Sequence, residues 1–162
     1  MLVPFLLMLS LAQWARATTA EERVDQRTQA ALAMDAHPGR GRQYYAQYCA
    51  RCHGAKGQGD AGTVVPALAG QRFAYLVRQL ANFAGAEREN ASMHKVATQP
   101  AIDEPQSWVD LASYLNRLAL RTDNQWGTGE AGPLGRGVFH EQCASCHGLD
   151  ASGDKEGFVP SL

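Results

Sequence analysis

The chain has 162 residues, 45% hydrophobic and 19% charged, and its 15 basic and 16 acidic side chains leave a net charge of −1. This is the composition of an ordinary globular protein. The near balance of charge gives no sign of the basic patch that nucleic-acid binding requires.

In chain order, Met1-Leu-Val-Pro-Phe-Leu-Leu-Met-Leu-Ser-Leu-Ala12 is a short apolar run, followed by Ala15-Arg16-Ala17 in the small-x-small form of a signal-peptidase site. Residues 1–17 are therefore expected to direct export, with the mature chain starting at Thr18. The run falls short of the ~20 residues that span a bilayer, so no stable membrane insertion is expected. No Lys or Arg precedes it, which departs from the usual signal-peptide pattern. Residues 18–40 form an N-terminal extension, weakly helical around Glu21 to Met34, with no assignable role.

Residues 41–49 read as a short helix with Gly41 and Tyr45 on one face. The helix leads into Cys49-Ala-Arg-Cys52-His53, and Cys143-Ala-Ser-Cys146-His147 repeats the pattern, so the two motifs use all four cysteines. Cys-x-x-Cys-His is the attachment pattern of a c-type haem. Two thiols one helical turn apart can each form a thioether with a haem vinyl group, and the next residue, His, is then placed beneath the iron as its ligand. A zinc ribbon also uses two Cys-x-x-Cys pairs, but separates them by roughly 15–20 residues. Here Cys52 and Cys143 lie 91 positions apart. A thioredoxin-like redox site would need a strand-helix-strand setting, and no strand-like run surrounds either pair.

Residues 54–70, rich in Gly and punctuated by Pro, read as an irregular loop. Gln71 to Ala84 carries the stripe Phe73, Leu76, Val77, Leu80 and Phe83 of an amphipathic helix. A second helix is expected over Pro105 to Leu120, with Asp103 as N-cap and Trp108, Leu111, Leu115 and Leu118 as its stripe. Between the two lies Met93, the one methionine after His53. Its segment reads as a polar loop with no apolar stripe to join, so its thioether is the expected second axial ligand of the first haem, a choice that raises the reduction potential. His94 is the rival, and its ordinary role is that of a solvated loop residue. Met34 and His37 read as packing or surface residues, and His140 as facing solvent or a haem edge.

Residues 121–134 read as a linker between two copies of one unit. Cys49 and Cys143 differ by 94 positions, and at that offset Gly41-Arg42 falls on Gly135-Arg136, Tyr45 on Phe139, Gly59-Asp60 on Gly153-Asp154 and Val65-Pro66 on Val159-Pro160. The second copy stops at Leu162, so the expectation is a truncated chain whose intact form runs to about 210–215 residues. A second Met would then be expected about 25 residues beyond Leu162, by analogy with the first copy.

These residues resemble the dihaem class I cytochromes c of the cytochrome c4 type, soluble carriers of the bacterial periplasm. The similarity covers nearly all of residues 41–162. Val65-Pro66-Ala-Leu68-Ala-Gly70-Gln71 resembles that group's haem-cradling segment, Tyr75 to Leu80 its following helix, and Asp110 to Leu115 the helix that crosses the first at Gly41 and Tyr45. The resemblance implies a mostly α fold of tandem class I cytochrome c domains, residues 41–120 and an incomplete 135–162, around two covalent haem c groups. It implies His53 and Met93 as the axial ligands of the first iron, with the Pro66 carbonyl accepting from His53. By the repeat, Pro160 would do the same for His147.

The function this points to is periplasmic electron transfer, with single electrons shuttled between respiratory donor and acceptor complexes and with no catalysis by the chain itself. The alternative is the cytochrome subunit of a periplasmic dehydrogenase that uses flavin or a quinone cofactor. Catalysis would then reside in another chain, since no Gly-x-Gly-x-x-Gly loop is present. A haem enzyme or gas sensor would need a vacant coordination site, which Met93 argues against for the first haem.

Overall fold

A computed structural model describes residues 18–60, 62–119, 132–154 and 156–162. The expected signal segment, and the linker up to residue 131, lie outside the described residues.

The extension begins with α1, Ala20–Leu32, started by a reciprocal cap in which the Thr19 side chain accepts from the Glu22 N–H and the Glu22 carboxylate accepts from the Thr19 N–H. Its Val24, Thr28 and Ala31 are buried at helical spacing. They pack α1 onto two later helices of the first copy, Phe73–Ala84 and Pro105–Asn116. The segment without an assignable role is thus part of the domain's core.

The predicted helix of residues 41–49 starts earlier and ends later. α2, Pro38–Tyr44, opens with Pro in its first turn and runs into a π-helical turn, Tyr45–Cys49, then into α3, Ala50–His53. After the irregular loop come α4, Phe73–Ala84, then α5, Ala91–Ala97, and α6, Pro105–Asn116. α6 stops two residues before the last position of its predicted stripe, Leu118, and its N-cap position is Glu104. Asp103 instead pairs with Arg27 of α1 at 2.6 Å. The second copy repeats the first with α7, Gly132–Val138, a π-turn, Phe139–Cys143, and α8, Ala144–His147. Among the described residues there is no strand, only an isolated bridge between Asp60 and Val65.

The core of the first copy forms where α2 crosses α6. A side chain on Gly41 would collide with the Asp110 backbone carbonyl, so only Gly lets the two backbones approach this closely. One turn along, Tyr45 packs its ring on Tyr114 with centroids 5.6 Å apart. Asp110 is completely buried, and its carboxylate accepts from the His37 N–H, Arg40 Nε and Gln106 Nε2. Three donors meet the requirement that a buried charge be paired. Trp108, Val109 and Leu111 close the core around Ile102 and Val77.

Candidate haem sites

The π-turn before each Cys-x-x-Cys-His has one cause in both copies: the Ala50 N–H bonds to the Tyr45 carbonyl and the Ala144 N–H to the Phe139 carbonyl, five residues back. Such wide turns inside a helix recur at functional sites. Beyond it, one short helical turn carries both thiols and the His, and Gly54 and Gly148 end it at φ of 80° and 79°. The first thiol of each pair is half-buried and the second exposed. Burial pushes the Cys49 thiol up to about 12, so it is held neutral.

His53 is 6% exposed and its Nδ1 lies 2.9 Å from the Pro66 carbonyl oxygen; His147 Nδ1 lies 3.0 Å from that of Pro160. A carbonyl can only accept, so each Nδ1 carries a ring proton, and Nε2 is the nitrogen this bond leaves free to face a ligand. The loop that supplies the carbonyl is tied back identically in both copies, by Gly59 N–H to the His53 carbonyl and Gly153 N–H to the His147 carbonyl.

Cys49, Cys52, His53, Pro66 and Met93 line one cavity of about 370 Å³ in the first copy. Its remaining wall is mostly apolar, from Leu76, Leu80 and Phe83 of α4, Val96 of α5 and Leu111 and Leu115 of α6, with Thr63, Gln79, Asn90 and Ser92 at its polar edge. A chamber with two thiols and an imidazole on one side, a thioether in its lining and hydrocarbon walls fits a haem, whose macrocycle is apolar and whose iron takes N and S ligands.

The polar segment predicted as a loop around Met93 is helical instead. Asn90 caps α5 by accepting from the Met93 N–H at 3.0 Å, and this fixes the backbone that carries the thioether. His94 is exposed, and its Nδ1 bonds to the Phe83 carbonyl at 2.7 Å, which ties α5 to the end of α4. His37 acts through its backbone N–H on Asp110, Met34 is on the surface and His140 is exposed, edge-on to Phe139.

The family model for cytochrome c matches residues 39–119. The chain belongs to the cytochrome c family. With two attachment motifs of identical local geometry, this cytochrome c carries two covalent haem c groups. Cytochrome c-552 of Acidithiobacillus ferridurans is 40% identical over 70 residues, 43% of this chain and 28% of that protein, so the chain spans little more than a quarter of that relative's length. The thiosulfate dehydrogenase electron acceptor of Stutzerimonas stutzeri strain A1501 is 28% identical over 157 residues, 91% of this chain and 71% of that one. Reduced recombinant cytochrome c4 from Pseudomonas stutzeri shares the fold, with a TM-score of 0.67 at 23% identity over 79% of this chain and 73% of that one. Among the described residues no helix is long and apolar enough to cross a membrane. Nor do they contain a cluster of three or more His, Cys, Asp or Glu side chains that could hold a free metal ion.

Sequence reading missed two parts of the site. One is the contact between the copies, where the Gln71 side chain bonds to the Ser161 backbone, which no motif marks as a junction. The other part, the cap that makes α5 a helix, had a readable signal in Asn90.

Proposed function

We propose that this cytochrome c is a periplasmic electron-transfer protein in which each haem is held by its own copy of the repeat. Cys49 and Cys52 form the thioethers of the first haem and His53 and Met93 its axial ligands. Cys143, Cys146 and His147 play the corresponding parts for the second. Haem c supplies a one-electron iron couple. Within the chain, the Pro66 and Pro160 carbonyls fix the ring protons of His53 and His147 on Nδ1, orient the imidazoles and raise their basicity. The walls from α4 and α6 exclude water, and the Asn90 cap keeps α5 in place.

The observation that carries this reading is the apolar cavity lined at once by both thiols, His53 and Met93. With two protein ligands on the iron, substrate has no coordination site, and a rigid core keeps rearrangement on reduction small. A Met93→Ala variant tests the assignment: the ferrous first haem is expected to bind carbon monoxide and the ferric one to lose its sulfur-to-iron charge-transfer band. An unchanged spectrum in the variant would exclude Met93 as ligand.

The electron donor has a specific candidate class. Similarity across 91% of the chain to a protein described as a thiosulfate dehydrogenase electron acceptor favours a periplasmic dehydrogenase of that kind over a membrane complex. The cytochrome would then act as its acceptor or as its electron-transfer subunit. Stopped-flow reduction by a thiosulfate dehydrogenase with thiosulfate present is expected to be fast and saturable. Reduction only at a slow rate proportional to enzyme concentration would return the assignment to a respiratory shuttle.

A further inference from the structure

The two copies meet through two neighbouring side chains of the first, Arg72, whose Nε donates to the Ser152 carbonyl, and Gln71. Gln71 of the first copy is itself anchored, since its backbone carbonyl accepts from Asn116 Nδ2 at 2.9 Å and its neighbour Gly70 donates to the Leu115 carbonyl at 3.0 Å. From this support its Oε1 accepts from the Ser161 N–H of the second copy at 2.9 Å, and its Nε2 donates to the Ser161 carbonyl at 3.2 Å. Oε1 also accepts from the Arg72 N–H at 2.9 Å, which fixes the orientation of the amide.

The Ser161 N–H belongs to the same peptide group as the Pro160 carbonyl, which accepts from His147 Nδ1 at 3.0 Å. One line of hydrogen bonds therefore runs from Gln71 Oε1 through the Pro160–Ser161 peptide to the His147 ring. Accepting a bond from the N–H of a peptide pushes electron density onto its carbonyl oxygen, and such chains strengthen each bond in turn. In the first copy the corresponding peptide is Pro66–Ala67, and among the described residues the Ala67 N–H has no such acceptor.

We propose that Gln71 is a positioning residue for His147, acting across the two copies through the Pro160–Ser161 peptide to raise the basicity of the second haem's proximal imidazole. A more basic imidazole favours ferric over ferrous iron, so Gln71 lowers the potential of the second haem and leaves the first unaltered. The inference rests on His147 as an iron ligand, as proposed above.

The test uses the haem-loaded chain with Gln71→Met, which keeps length and removes the acceptor, and Gln71→Glu, which keeps the acceptor. Potentials of both haems are read by spectroelectrochemistry. In Gln71→Met the second haem is expected to show a ferrous-to-ferric ratio higher by about twofold at a fixed applied potential, and its His147 ring N–H to exchange faster with deuterium. The first haem should not move, and Gln71→Glu should sit at or below the parent. Equal shifts in both haems, no shift in either, or a Glu variant that behaves like Met would overturn the proposal. In the unaltered protein the Ser161 amide should be protected from hydrogen exchange, and free exchange there would overturn it without any variant. Absence of iron-shifted His147 ring resonances in the unaltered protein would overturn the ligand assignment and this inference together.

Discussion

Tyr45 is 1% exposed and its hydroxyl donates to the Gly54 carbonyl at 2.5 Å, next to the His that ends the attachment motif. Burial pushes this phenol up from 10.0 to about 12. A raised value means that the folded chain favours the protonated form. The stabilisation is therefore fully present below pH 10 and is lost as pH rises towards 12. Alkaline unfolding followed by circular dichroism is expected to show this steep loss in the parent. It should be shallower in Tyr45→Phe, which starts less stable by about 1 kcal/mol for the missing hydrogen bond. At this scale the sequence was most legible where chemistry fixes the spacing. Cys49, Cys52 and His53 could be read as one group because the proposed thioethers and ligand would need those atoms within one helical turn, and the structure puts all three on one cavity. The hydrogen bond of His94 to Phe83 could not, because it depends on how α5 meets the end of α4.

The crossing of α2 and α6 sets the element scale. Asp110→Ala would remove the buried carboxylate that accepts from the part-buried His37 N–H and from Gln106 Nε2 and leave a cavity in its place, while Arg40, whose side chain is 46% exposed, could turn to water. The expected cost is about 2–3 kcal/mol, read as a lower urea midpoint with an unchanged slope. Gly41→Val would drive a branched side chain into the Asp110 carbonyl, separate the helices and pull the Tyr45 and Tyr114 rings apart. A loss of about 3 kcal/mol or more is expected, the upper end of overpacking costs, and the same urea titration reads it. α4 and α6 were readable because each turns an apolar stripe to the core, and a stripe is a local pattern. The end of α6 was not, because its stripe continues to Leu118 whereas the chain leaves the helix at Asn116, whose side chain is drawn to the Gln71 carbonyl. The extension hid its role for a related reason. α1 buries three small or medium side chains, too little apolar surface for a clear stripe, although Thr19 and Glu22 spell out its cap.

For the whole molecule, the repeat at an offset of 94 positions is reproduced in backbone detail: the same π-turn, the same positive-φ glycines at Gly54 and Gly148, and the same carbonyl on each imidazole. The tandem organisation was legible because it is written in identities. The junction between copies was not, because Gln71 and Ser161 have no counterpart in the pattern that a single copy must satisfy. The proposed electron-transfer function depends on both motifs holding haem through carbon–sulfur bonds. Intact-mass measurement after acidified-acetone extraction of the haem-matured protein decides whether they do. The expected mass exceeds that of the polypeptide by two haem groups that solvent does not remove. A mass equal to the polypeptide alone, with haem in the extract, would contradict it.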